Sequence, residues 1–216
     1  SWGTSTRLIG AIIMAHGDQR GLVLPPKVAP VQVIAIPVAA HKGGVTEKVR
    51  EVVELLKNAG IRAEADERDG TPGWKFNEWE MKGVPLRMEI GPRDVENNQA
   101  VLVRRDTHEK SFVPLENIVG TVKDLLDAVQ KEMLVRARER RDAKIVEADS
   151  LDKILDGVEN KNFVKAGWCG CRECEDKVKE YAQATARVMV DGEGVPEKCA
   201  VCGKPAKHKV IFARAY

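Results

Sequence analysis

The sequence predicts an α/β protein: a mixed sheet with a parallel part, followed by a small α+β domain held by a metal. Three observations lead there. Residues 31 to about 120 alternate between short apolar runs and amphipathic stretches, the strand–helix–strand order of an α/β sheet. A proline-free stretch with helical apolar spacing, Ile118 to about Val146, follows as a connecting helix. All five cysteines then fall between Cys169 and Cys202, in two close clusters.

Along the chain, Ser5 and Thr6 suit the N-cap of a helix over Arg7–His16. Leu8, Ile9, Ile12 and Ile13 recur there at helical spacing, and Gly17 with Asp18 ends the run. Gly21 to Pro30 is extended, because Pro25 and Pro26 forbid a helix interior. Val31–Val38 is of strand length. Thr46–Ala59 is an amphipathic helix on Val49, Val52, Val53, Leu55 and Leu56, ending near Gly60. Ile61–Ala65 is a second strand and Trp74–Lys82 a short helix. Leu86–Ile90 and Ala100–Val103 are further strands, and Ser111–Val113 pairs with the last across a turn at Thr107 and His108. In the connecting helix, Leu125, Leu126, Val129 and Met133 form the apolar stripe. Arg136, Arg138, Arg140 and Arg141 read as a solvated face.

Composition narrows the classes. Of 216 residues 43% are apolar and 31% charged, which excludes disordered and fibrous chains. Thirty-five basic against 33 acidic residues leave a formal charge of +2, so a polycationic nucleic-acid binder is not expected. The longest nearly apolar stretch, Val28–Ala40, is broken by Pro30, Gln32 and Pro37 and is too short to span a bilayer. No signal peptide is legible. The chain opens at Ser1 and runs at once into an organised segment, so it is expected to be the C-terminal part of a longer protein.

The cysteines follow the pattern Cys169-Gly170-Cys171-Arg172-Glu173-Cys174, then Cys199-Ala200-Val201-Cys202-Gly203. The second pair is a C-x-x-C turn followed by glycine, which lets both sulfurs reach one ion. Four thiolates make a closed structural zinc site in a reducing compartment. Spacing alone leaves both Cys169 with Cys174 and Cys171 with Cys174 open as the first pair. The final segment has few large apolar residues: Val178, Tyr181, Val188, Met189, Val190, Ile211 and Phe212. A core so thin is expected to need the metal, so chelation should unfold residues 165–216 and spare the α/β region.

Longer motifs then carry a resemblance. Ser1-Trp2-Gly3-Thr4-Ser5-Thr6-Arg7-Leu8-Ile9-Gly10, continuing to Met14-Ala15-His16-Gly17-Asp18, resembles the third signature motif of class II aminoacyl-tRNA synthetases. Gly21-Leu22-Val23-Leu24-Pro25-Pro26-Lys27-Val28-Ala29-Pro30 is similar to the segment that follows it in prolyl-tRNA synthetases. So are Pro72-Gly73-Trp74-Lys75-Phe76-Asn77-Glu78-Trp79-Glu80-Met81-Lys82-Gly83-Val84-Pro85-Leu86-Arg87 and Gly91-Pro92-Arg93-Asp94. The cysteine region and Tyr216 resemble the archaeal/eukaryotic-type branch.

The resemblance implies four parts. They are a strand–helix stub of the class II catalytic domain (1–30), a mixed-sheet class II anticodon-binding domain (31–120), a connecting helix (121–150) and a zinc-stabilised C-terminal domain (151–216). It implies a cytoplasmic enzyme, homodimeric at full length, that activates proline with ATP and Mg²⁺ and transfers it to tRNA(Pro). The first two class II motifs and the proline pocket are absent, so this part is not expected to be active alone.

The family match assigns Arg7 and Ser5 to ATP, with Trp2 and Gly3 lining the site. A fixed guanidinium suits the dispersed charge of the activation step. His16 and Asp18 are structural. Proline anticodons share two adjacent guanines, whose O6 and N7 accept from Arg or Lys and whose N1–H and N2–H₂ suit a carboxylate. Phe76 (or Trp74) then stacks on a base, Glu80 and Asp94 accept, and Lys75, Arg87 and Arg93 donate. Trp79 reads as core, and Arg104 and Lys110 as candidate backbone contacts. Family usage favours Cys169, Cys174, Cys199 and Cys202 as ligands with Cys171 spare, and it implies that the Tyr216 carboxylate reaches the active site. The competing reading is a noncatalytic, synthetase-derived tRNA-binding module.

Overall fold

The computed structural model describes residues 3–214. The chain divides into two compact units, 1–137 and 138–216.

The first unit opens with α1 (Arg7–His16), at the bounds its periodicity predicts. The Ser5 hydroxyl accepts from the Arg7 amide at 3.4 Å, whereas Thr6 makes no side-chain cap bond. A five-stranded sheet follows: β1 (Val33–Pro37), β2 (Ala63–Ala65), β3 (Leu86–Ile90), β4 (Gln99–Arg104) and β5 (Lys110–Pro114), in the order β2-β1-β3-β4-β5. β1 is parallel to β2 and β3, while β3–β4 and β4–β5 are antiparallel, so the sheet is mixed. The helices are α2 (Val45–Asn58), α3 (Pro72–Met81), α4 (Pro92–Glu96) and α5 (Ile118–Asp142).

Two boundaries differ from the sequence reading for physical reasons. α3 begins at Pro72 because proline fits the first helical position, and the Thr71 hydroxyl accepts from the Trp74 amide at 3.4 Å. The connecting helix stops at Asp142, short of Val146. Ile145 and Val146 instead pair in a strand with Phe163 and Val164.

The sheet's side chains alternate between two faces. Val33, Ala35, Leu86, Met88, Ala100 and Leu102 pack against Val49, Val52, Val53 and Leu56 of α2 and Ile118, Val122 and Leu126 of α5. The opposite face carries Ile34 and Ile36 on β1, covered by Phe76 and Trp79 of α3. β1 is therefore buried on both sides and reads as an unbroken apolar run. On β3 the pattern alternates, which sets Arg87 and Glu89 at the margin of α3.

Two glycines clamp the Gly21–Leu24 segment to the end of α3. The Leu22 amide donates to the Met81 carbonyl and the Leu24 amide to the Gly83 carbonyl, both at 3.0 Å. Gly21 (φ +130°) and Gly83 (φ +76°) lie where L side chains are disfavoured. A Cβ would come within 2.7 Å of Met81 Cα at Gly21, and within 2.5 Å of the Leu22 carbonyl oxygen at Gly83.

In the second unit β6 (Ile145–Ala148), β7 (Phe163–Trp168), β8 (Ala184–Met189) and β9 (His208–Arg214) form a sheet in the order β6-β7-β9-β8. β6 and β7 are parallel and the other pairs antiparallel. α6 (Leu151–Glu159) and α7 (Arg172–Ala182) pack Ile154, Val158, Val178 and Ala182 against Val164, Ala166, Val210 and Phe212. The expected core needs correcting here. Only Val178 and Phe212 of the seven residues named are buried, and Tyr181, Val188 and Met189 are about half exposed. Ile154, Val158, Val164 and Val210 replace them, so this unit has an apolar core of its own. Among the described residues no helix is long and apolar enough to cross a membrane.

Gly83→Ala is expected to destabilise the first unit by about 2 kcal/mol or more, through positive-φ strain plus the clash with Leu22. Urea unfolding followed by tryptophan fluorescence measures it. An unchanged midpoint would remove the clamp as a structural element.

Candidate functional site

Glu80 and Arg87 are brought together. Glu80 ends α3, Arg87 lies on β3, and the short connection through Gly83 turns both toward a cleft of about 170 Å³ that Arg20, His108 and Lys110 also line. The Glu80 carboxylate accepts from Arg20 Nη1 at 3.1 Å and has His108 Nδ1 at 3.9 Å. Arg87 donates to Glu89 Oε1 through Nε (3.0 Å) and Nη2 (2.8 Å), and its guanidinium carbon sits 4.2 Å from the centre of the Phe76 ring. Glu80 and Arg87 thus line one cleft, and Arg87 has an aromatic face against it.

Arg105 fixes this arrangement, and sequence reasoning missed it. Nearly fully buried, it donates through Nε to the Glu80 carbonyl at 2.8 Å and grips Asp18 with two bonds of 2.7 Å. Those bonds hold the Asp18 carboxyl down at about 2. Asp18 thus has the structural part expected of it, and through Arg105 it ties the end of the first motif to the end of α3. No local spacing signals such a pair, since the two are 87 residues apart.

Asp66 anchors the sheet-facing side of α3 through Lys75 and Trp79. Its side chain is fully buried and accepts from Arg68 (2.6 and 2.9 Å) and from Trp79 Nε1 (2.7 Å). The Arg68 bonds, then that of Trp79, hold its carboxyl well below the usual carboxylate range. Arg68 continues to Glu78 at 2.8 Å. Lys75, expected at the base-reading surface, lies beneath α3. Its ammonium is 5% exposed and donates to the Asp66 carbonyl at 3.0 Å.

The other residues singled out in the sequence scatter. Asp94 caps α4, accepting from the Gly91 amide at 2.9 Å and from Gln99 Nε2 at 3.2 Å. Arg93 beside it is exposed, and neither lines the cleft. Trp74 is exposed, with Arg68 5.2 Å above its ring, and Trp79 packs inward as expected. Arg104 is not a surface cation. It is buried in ion pairs with Asp106 (2.9 Å) and Glu132 (2.6 Å), and Arg136 joins it on Asp106, so its charge is already satisfied. Gly3, Ser5 and Arg7 are exposed. Trp2 and Tyr216 lie outside the described residues.

In the second unit the sulfurs of Cys169, Cys174, Cys199 and Cys202 all lie within 4.8 Å of one another. Cys169 is 3.7 Å from Cys174 and 3.8 Å from Cys202. Tetrahedral thiolates about 2.3 Å from a zinc-like ion stand about 3.8 Å apart, so the four fit a closed metal site. Cys171 is 3.2 Å from Cys169, closer than two such ligands stand, and falls outside the cluster. Its carbonyl accepts from Trp168 Nε1 at 3.1 Å, which pins the turn into α7. Gly170 (φ +82°) and Gly203 (φ +71°) supply the left-handed turns beside the ligands.

The chain is similar to known proteins over its whole length. Residues 32–125 match the family model described as an anticodon binding domain, so the first unit contains a domain of that class. Residues 151–216 match the model for the prolyl-tRNA synthetase C-terminal domain. Proline--tRNA ligase of Ruminiclostridium cellulolyticum is 56% identical over 219 residues, covering 100% of this chain and 45% of its own length. That of Lachnospira eligens is 52% identical over 218 residues, covering 100% of this chain and 46% of itself. A crystal structure of prolyl-tRNA synthetase from Cryptosporidium parvum, complexed with L-proline and AMP, superposes with a TM-score of 0.92 at 40% identity. It covers 100% of this chain and 47% of that one. The chain belongs to the prolyl-tRNA synthetase family, and it spans about half the length of the relatives it matches.

Two outcomes are expected. Metal analysis should find one divalent ion per chain in wild type and in Cys171→Ser, and none retained after dialysis in Cys169→Ser; loss in both variants would contradict the ligand set. The folded-state pKa values of Asp66 and Asp18 are depressed. Their stabilisation is therefore complete above the ordinary carboxylate value of about 4 and drains as pH falls from there toward 2 and below. Asp66→Asn should cost about 2–3 kcal/mol at pH 7 and flatten the acid limb of stability against pH. A parallel limb in the variant would mean that Asp66 does not set it.

Proposed function

We propose that the chain is the C-terminal portion of a proline--tRNA ligase, the enzyme that activates proline with ATP and transfers it to tRNA(Pro). The observation that carries the proposal is that Glu80 and Arg87 line one cleft, with the Phe76 ring stacked against Arg87, on a chain whose named relatives are proline--tRNA ligases. Glu80 accepts from the N1–H and N2–H₂ edge of an anticodon guanine, Arg87 donates to O6 or N7, and Phe76 backs the guanidinium and the base. Arg93 and Asp94 act at the α4 turn, Arg93 toward RNA and Asp94 by holding that turn. Lys75 contributes through Asp66, as a positioning group.

Residues 1–30 form the end of the catalytic domain. Arg7 there, with Ser5 and Gly3, meets ATP·Mg²⁺ in the whole enzyme. Residues 31–120 form the anticodon-binding domain, 121–150 the connecting helix and 151–216 the zinc domain. Cys169, Cys174, Cys199 and Cys202 hold Zn²⁺, which supplies structure and no open coordination position. Because the second unit has its own apolar core, metal removal loosens the Cys199–Cys202 loop before it unfolds the sheet. Free thiols suit a reducing cytoplasm. The full-length enzyme is a homodimer in this reading. The ligase names of the relatives favour it over a noncatalytic tRNA-binding module.

In the full-length enzyme Glu80→Ala and Arg87→Ala should each raise KM for tRNA(Pro) on the order of tenfold or more and leave ATP–pyrophosphate exchange unchanged. Arg7→Ala should abolish the exchange. Equal loss of charging and exchange in Glu80→Ala would refute the anticodon assignment.

A further inference from the structure

Phe112 lies on the sheet face opposite α2 and α5, and 68% of it is exposed. Its neighbour Val113 points the other way and makes the packing contact. Registration across β3, β4 and β5 sets out the open face in two rows. One is Arg87–Val103–Lys110 and the other Glu89–Val101–Phe112. Val101 and Val103 are only 8% and 5% exposed, so the apolar surface this face offers is the Phe112 ring, with the Glu89 carboxylate in its own row and Arg87 and Lys110 in the row beside it. An exposed aromatic face with cations in the neighbouring row is what stacking of an unpaired base requires.

β5 is an edge strand, where an exposed aromatic ring could instead invite pairing with another strand. Lys110 and Pro114 bracket it, and both disfavour such pairing. The ring is two strand spacings, about 10 Å, from β3, so a base lying on it is not the base that Glu80 and Arg87 touch.

We propose that Phe112 is the stacking position for a further unpaired base of the anticodon loop, beside the bases read in the Glu80–Arg87 cleft. The proposal rests on the anticodon reading above and extends it. Stacking uses the π-face that every base has, so Phe112 adds affinity without selecting a base, whereas Glu80 and Arg87 select. Lys110 neutralises the phosphate that follows.

Fluorescence anisotropy of the 216-residue chain tests this. The probes are an RNA hairpin with the proline anticodon loop, the same hairpin with both guanines replaced by adenine, and a set with one loop nucleotide at a time made abasic. Phe112→Ala should raise Kd on the order of ten- to a hundredfold on the guanine and adenine hairpins alike, and Phe112→Trp should bind like wild type. One abasic position outside the guanines should weaken wild type and add nothing to Phe112→Ala. If Phe112→Ala binds like wild type while Glu80→Ala loses the preference for guanine, the stacking role is overturned and the cleft reading stands. If wild type does not discriminate the two hairpins, the cleft reading fails and the stacking role fails with it. A Phe112-dependent dimer in sedimentation, with RNA binding unaffected, gives this face to a second copy and overturns the proposal.

Discussion

The seat of α3 depends on one buried carboxylate. Asp66 follows β2, removed from water, and a charge there is tolerable only if its oxygens are fully engaged. Arg68 and Trp79 engage them, and Lys75 takes the neighbouring carbonyl. Because Trp79 and Lys75 belong to α3, satisfying Asp66 and placing the helix are the same event. Phe76 follows Lys75 and Glu80 follows Trp79, so both acquire their orientation from it.

The cleft is built between rigid elements and not on a mobile loop. Asp66 fixes the sheet-facing side of α3, and Arg105 grips the Glu80 carbonyl at its end. The backbone bonds of Leu22 and Leu24 close the same turn from outside. Glu80 needs no partner of its own to be positioned, which leaves its carboxylate with an exposed cation, Arg20, that a ligand can displace at small cost. Arg87 is likewise held by Phe76 beneath and Glu89 beside it, with donors still turned to the cleft. Preorganisation of this kind limits the rotamer entropy lost on binding.

Much of this was legible in the sequence, because the signals were local. The spacing of Val49, Val52, Val53 and Leu56 shows α2. The unbroken run around Val33–Pro37 shows a strand buried on both faces. The cysteine pattern shows a four-thiolate cluster while leaving the choice between Cys169 and Cys171 to distances. What could not be read depends on residues far apart in the chain. Arg104 looks like a surface cation until the fold sets Asp106, Glu132 and Arg136 around it. Lys75 sits in a motif that resembles a recognition surface, yet its rotamer follows Asp66. In the second unit, apolar residues such as Val188 and Met189 look like core, yet they end the edge strand β8, where the side chains on both faces stay half exposed.

The strand order of the second unit, β6-β7-β9-β8, puts the last strand in chain order between two earlier ones. Until β9 arrives, β7 and β8 have no partner on their facing edges and leave a gap one strand wide. The four cysteines, by contrast, are all upstream of it: Cys202 precedes His208. Ion capture can therefore precede completion of the sheet, drawing the Cys199–Cys202 turn back to the start of α7. An ion held there would fix the loop that leads into β9. The thiolate cluster and the β7–β9 pairing thus join the same two stretches of chain through two separate kinds of bond.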